Sequence, residues 1–250
     1  ALLFIPKRPP YDFYSESYEK GLQLYSKGVF IQDKNKDLIS DHFKFVKGLV
    51  DSSDLSLNIS RELLKHDKQL KKIQQNLDKK IKSELERMLE SERELYVSFY
   101  EAYKNTLKYG IYNQFGLNKE LLQDLLLFKT SQSDDYITLK EYVSRKKENQ
   151  KDIYYATGKT KQAIMNLPQM DVMKEEGFEV LFFTDEIDEF MIQVMMKYED
   201  MNFKSIQTAD LDVASDKKKK EIDKKEKEAK DILGAIKGAL NDKVSDVKLS

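Results

Sequence analysis

Cysteine is absent from the 250 residues, which excludes disulfides, thiol catalysis and cysteine-bound metal. Histidine is nearly absent. His42 and His66 stand far apart without a companion pattern, so no metal site is expected and both read as surface or boundary residues. No run approaches the apolar length of a membrane span, and no signal peptide precedes the first strand-like segment, so a cytoplasmic chain with no membrane partner is expected. Charge of one sign is not in excess either: 43 Lys and Arg face 44 Asp and Glu, a net charge of −1. That balance excludes a protein-wide field for nucleic acid, and any such binding would have to come from local patches.

What is present is 40% hydrophobic residues on a chain long enough for one or two domains. Leu2 to Ile5 predicts a buried strand, closed by Pro6, Pro9 and Pro10, which cannot continue a ladder. Tyr11 to Lys20 reads as a loop or short helix, and Leu22 to Tyr25 with Val29 to Ile31 as a strand pair around Gly28. Ser40 is positioned to cap a helix carrying Phe43, Val46, Leu49 and Val50. From Leu63 to about Leu107 apolar residues recur at helical spacing, predicting a long helix broken once or twice. Its lysines, Lys68 to Lys82, are followed at once by Glu84 to Glu94 and lack interleaved aromatics, so they read as a solvated face rather than a nucleic-acid site.

Leu117 to Phe128 predicts an amphipathic helix and Ser131 to Asp135 a polar link; Thr138 with Glu141 is a capping-box signature. A second alternation of strand and helix follows: a strand at Ile153 to Ala156, helices through Met165 and Met173 ended by Gly177, a strand at Val180 to Phe183, a helix from Ile187 to Tyr198, and an edge strand at Phe203 to Ile206. Thr157-Gly158-Lys159-Thr160 lacks the upstream glycine of a phosphate-binding loop and is set aside. Past Asp210 lies a charge run, Asp216 to Lys230. The expected fold is α/β: a larger α/β unit at 1–60, a helical connector at 61–135, a smaller α/β unit at 136–208, and a charged linker opening another domain at 209–250. The chain starts and stops in strand-like segments, so a fragment of a longer protein is expected.

The stretch from Asp51 to Lys65 carries the chemistry. Leu55, Leu57 and Ile59 alternate with polar residues, as in a strand with one buried side; Asn58 and Ser60 are helix-capping types, and Glu62, Leu63 and Leu64 begin a helical run. Arg61 then falls in or beside a first helical turn, where the macrodipole disfavours a cation. Two readings fit: an ion pair with Asp54 or Glu62, or a guanidinium fork waiting for phosphate oxygens.

The segments L-N-I-S-R-E-L-L, V-D-S-S-D-L and L-L-F-I-P-K-R-P-P, together with V-F-I-Q-D, F-V-K-G-L-V-D, I-Y-Y-A-T-G and F-E-V-L-F-F-T-D-E-I-D-E, occur in order and resemble the middle domain of bacterial heat-shock protein 90 chaperones. The resemblance implies that Arg61 reaches the terminal phosphate of ATP held, with magnesium, in an N-terminal domain missing here; Asn58 and Ser60 would hold the loop. Lys65 stands where the family often has glutamine. The water-activating carboxylate belongs to that other domain, so this segment is not expected to bind a cofactor or hydrolyse ATP alone. Also implied are a C-terminal dimerisation domain, a homodimeric whole, co-chaperones, and unfolded clients met by Glu189, Phe190 and Gln193. The neighbouring Met191, Val194 and Met195 are expected to pack on the 180–183 strand. Lys7, Arg8 and Phe30 receive no firm role. The competing class is a non-catalytic helical interaction scaffold.

Overall fold

The computed structural model describes residues 1–53 and 68–208. Its first sheet contains β1 (Leu2–Phe4), β2 (Leu22–Ser26), β3 (Val29–Asn35) and β4 (Lys47–Asp51), in the order β1-β4-β2-β3. β2 and β3 form the expected hairpin, whose two-residue turn has both Lys27 and Gly28 at positive φ, the twist that matches flanking strands. β2 and β4 run parallel, so their carboxyl ends share one edge of the sheet.

Two expectations fail here. The first strand is not buried: β1 pairs with β4 alone, and its Leu2 and Phe4 are 67% and 59% exposed at the sheet edge. Nor does Ser40 cap a helix. Asp41–Phe43 is a single 3-10 turn without a side-chain cap, and Lys47–Asp51 is strand β4. Gly48 explains the outcome, because a Cβ there would lie 2.0 Å from the Leu2 carbonyl oxygen. The β1–β4 ladder closes only around a residue without a side chain, and that pairing overrides the helical spacing of Val46, Leu49 and Val50.

Helices α1 (Lys68–Ser91) and α2 (Arg93–Tyr112) follow, broken at Glu92 as the periodicity implied. The kink has a local cause. The Ser91 hydroxyl donates back to the Arg87 carbonyl at 2.7 Å, while the Arg87 guanidinium holds Glu84 and Glu92 on either side. α2 forms the centre of the core. It buries Tyr96, Phe99, Tyr100, Tyr103, Leu107 and Ile111, each contributing about 1.5–3 kcal/mol through lost apolar exposure. Phe13 and Phe45 from the first sheet's surroundings stack edge-on or tilted against Phe99 and Tyr103 at 5.0–5.4 Å.

The second sheet holds β5 (Leu127–Thr130), β6 (Ile137–Thr138), β7 (Ile153–Thr157), β8 (Val180–Phe183), β9 (Lys197–Tyr198) and β10 (Met201–Ser205), in the order β6-β5-β8-β7-β10-β9. The connecting helices are α3 (Lys119–Leu122), α4 (Leu139–Ser144), α5 (Lys161–Met165), α6 (Pro168–Glu176) and α7 (Ile187–Met195). The capping box is present: Thr138 Oγ1 accepts from the Glu141 N–H at 3.0 Å, and Glu141 Oε2 from the Thr138 N–H at 2.6 Å. Gly177 ends α6 at φ 67, a left-handed cap that favours glycine. The helix expected to Phe128 stops at Leu122, since Leu127 and Phe128 pair with β6. β10 is not an edge strand. It lies between β7, parallel, and β9, antiparallel. Strands in parallel pairs with helical crossovers and helices across the sheets make this an α/β fold.

Candidate functional site

The predicted phosphate-contacting Arg61 and the predicted loop-supporting Asn58, Ser60 and Lys65 lie outside the described residues, as does His66. Their two flanks are described. β4 ends at Asp51, whose carboxylate accepts from the Gly28 N–H in the β2–β3 turn at 3.1 and 3.2 Å, and the Ser52 N–H donates to the Tyr25 carbonyl at 3.1 Å. The chain therefore leaves the sheet at the carboxyl ends of a parallel strand pair, the edge at which α/β sheets present ligand-binding loops. On the far flank, α1 is fastened to the same unit: Leu70 is buried, the Ser40 hydroxyl donates to Asp78 Oδ2 at 2.6 Å, and Gln74 donates to Ser40 at 3.1 Å. Burial pushes the Asp78 carboxyl up, opposed by the Ser40 hydrogen bond. Ser40 thus serves as an anchor for α1 instead of a cap, a role its neighbours in sequence give no sign of.

The second candidate surface is α7. Glu189, Phe190 and Gln193 are exposed on one side, and Phe190, half exposed, meets the Tyr112 ring edge-on at 5.8 Å. Met191 and Met195 are buried, in line with packing rather than display; Val194 is half-buried. What fixes the helix is an ion cluster that the sequence reading missed. Lys108 of α2 lies 2.6 Å from Asp188 Oδ1 and 2.7 Å from Asp185 Oδ2, and Lys104 reaches Asp185 Oδ1 at 2.9 Å. Asp188 Oδ2 also accepts from the Asp185 N–H at 3.0 Å. The Asp188 side chain is 1% exposed and that of Lys108 4%. Burial pushes the Asp188 carboxyl up further than Lys108 pulls it down. At Asp185 burial also pushes up, but the ammoniums of Lys108 and Lys104 outweigh it and hold the carboxyl below the usual range. The available signal was the spacing: Lys104 and Lys108 one turn apart on one helix, Asp185 and Asp188 at the start of another.

The remaining candidates are dispersed. Lys7 and Arg8 are exposed after β1, and Phe30 is 51% exposed on β3, so it is not core. His42, expected at the surface or a boundary, is 6% exposed, because its turn packs against Gly110 of α2. Among the described residues no three His, Asp or Glu side chains are grouped to hold a metal ion, and no helix is long and apolar enough to cross a membrane.

The family model described as "Hsp90 protein" matches residues 1–250. The chain belongs to the Hsp90 family. It is 50% identical over all 250 residues to "Chaperone protein HtpG" of Bacillus subtilis (strain 168), 51% to that of Alkaliphilus oremlandii and 52% to that of Clostridium acetobutylicum. In each case the match covers the whole of this chain and 40% of the relative. In this Hsp90-family chain β4 of the first sheet is the last described strand before the 54–67 stretch, and α7 is held to the C-terminal half of α2 through Lys108 and Asp188.

Proposed function

We propose that this chain is the central segment of an ATP-driven molecular chaperone of the cytoplasm, joined to an N-terminal nucleotide-binding domain and a C-terminal dimerisation domain in a homodimer. Its part in turnover is Arg61. The guanidinium stabilises charge on the terminal phosphate of ATP bound with magnesium in the neighbouring domain, while Asn58 and Ser60 hold the loop and Lys65 stands in the place of a second polar contact. A collinear family match through all 250 residues, including the L-N-I-S-R-E stretch, carries this reading. The position of the carboxyl end of β4, parallel to that of β2 at one edge of the sheet, supports it, since such edges face ligands. No acid in this segment is assigned to water activation, so hydrolysis belongs to the joined domains.

The test is Arg61→Ala in the full-length protein. Turnover is expected to fall by at least about tenfold at saturating ATP, the scale of one lost charge-stabilising donor. An unchanged turnover number rejects the role and favours the non-catalytic scaffold.

The client surface is the exposed side of α7, with Glu189, Phe190 and Gln193 as its contacts. Support comes from their shared exposure and the chaperone naming of the relatives. Replacing Phe190 by Ser is expected to weaken binding of an unfolded client without altering basal ATP turnover, read by fluorescence anisotropy of a labelled unfolded protein. Equal affinity of the variant removes α7 from the surface.

A further inference from the structure

Tyr112 ends α2, and the 3-10 turn Asn113–Gly116 that follows lies against α7. Two contacts hold it there: the Tyr112 ring meets Phe190 at 5.8 Å, and a Cβ on Gly116 would come within 2.5 Å of Val194 Cγ1. Lys119 then donates to the Met195 carbonyl at 2.7 Å, and Asn118 to the Gly110 carbonyl at 3.2 Å. Phe115 stands between the two residues that touch α7, yet it is 99% exposed. Met196, at the end of α7, is 69% exposed, although its N–H donates to the Ile192 carbonyl and its own carbonyl accepts from the Phe203 N–H, both at 3.0 Å. The backbone is unfavourable at these displayed side chains. Gln114 and Phe115 have φ 53 and Met196 has φ 55, a region that residues with a Cβ rarely adopt. Exposing a phenylalanine to water gains the fold nothing, so backbone strain that displays one points to a partner.

The charges nearby narrow the partner's chemistry. Lys104 and Lys108 are taken up by Asp185 and Asp188, while Lys119 and Lys197 line one pocket with Glu120, Asp124 and Glu199. Glu186 and Glu189, exposed at the start of α7, have no cation within ion-pair distance among the described residues. The apolar surface therefore borders uncompensated negative charge, which a basic partner complements. Resting on the assignment of α7 as a client surface, we infer that this surface continues over the 113–116 turn and selects unfolded segments whose large apolar side chains are flanked by lysine or arginine. Phe115 and Met196 join Phe190 in holding the apolar residues, methionine adapting to their varied shapes, and Glu186 and Glu189 meet the flanking cations.

Fluorescence anisotropy of three labelled, unstructured peptides of equal length tests both halves: a Leu/Phe core flanked by lysines, the same core flanked by aspartates, and a Gly/Ser core flanked by lysines. The first is expected to bind tightest. Phe115→Asn removes the ring with a residue that accepts left-handed backbone, so the thermal midpoint should hold while the first peptide binds about tenfold more weakly, the scale of one truncated aromatic anchor. Glu186→Gln combined with Glu189→Gln should bring the lysine- and aspartate-flanked peptides close to parity. Weaker binding in Phe190→Ser but not in Phe115→Asn would reject the extension and leave the α7 surface standing; no change in either would reject both. Equal binding of the two flanked apolar peptides, or of the Gly/Ser peptide, would overturn the selectivity.

Discussion

Replacing Lys108 by Met removes the one cation among the described residues that touches Asp188, and the structure sets the size of the effect. At 2.6 Å the Lys108–Asp188 attraction is about 6 kcal/mol for an effective dielectric near 20, most of it offset by the desolvation of both groups. Lys104 still covers Asp185 in the variant, at 2.9 Å, but Asp188 keeps only the Asp185 N–H. A carboxylate 1% exposed then takes a proton. Doing so at pH 7 from an ordinary value of 3.8 costs about 4 kcal/mol, at about 1.36 kcal/mol per pH unit, within the about 3–5 kcal/mol typical of breaking a buried pair. The sign with pH follows. In the variant the folded state binds a proton at Asp188 that the unfolded chain lacks at neutral pH, so the deficit shrinks as pH falls toward 3.8. Urea denaturation of wild type and Lys108→Met at several pH values reads both quantities, and adding Asp188→Leu to the variant should restore most of the loss. A deficit below about 1 kcal/mol, the scale of exposed pairs, or one independent of pH would refute the buried-pair account.

Two other perturbations follow from the core. His42 is held down to about 4, first by burial and then by Lys20, against the pull of Asp41. Its folded value lies below the unfolded 6.5, so its contribution is complete above pH 6.5 and is lost as pH falls toward about 4, to a limit of about 3 kcal/mol. The urea midpoint of wild type should therefore fall more steeply across that window than that of His42→Gln; parallel curves would contradict the burial assignment. Tyr142, 1% exposed, donates to the Glu179 carbonyl at 2.7 Å and accepts from Gln150 Nε2 at 3.0 Å and the Tyr154 N–H at 3.1 Å. Tyr142→Phe strands those groups and should cost about 1–3 kcal/mol, with faster hydrogen exchange at the Tyr154 amide; an unchanged exchange rate there would show another partner for it.

Much of the chain could be read from local pattern because local physics decides it. Hairpin β2–β3, the Thr138 capping box, Gly177 after α6 and strands β7 and β8 all rest on neighbours in sequence. The misreadings share a cause. Leu49 and Val50 fit a helix by spacing but were claimed by two ladders, and Phe128 by pairing with Ile137. The edge position of β1 and the interior position of β10 depend on strand order, which no stretch of sequence contains.

Sequence alone determined membership of the Hsp90 family, the absence of any thiol chemistry, and the one arginine on which the proposed phosphate contact rests, since these depend on which residues occur and in what order. The tertiary structure decided which charges are buried and which polar atoms lack partners. Lys108 meets Asp188 across 80 positions, and His42 meets Gly110 across 68, only because α2 packs against both the Asp41–Phe43 turn and α7. Desolvation depends on what surrounds a side chain in space, so the spacing of Lys104, Lys108, Asp185 and Asp188 could hint at a pairing but not at its burial, and His42 carries no such hint.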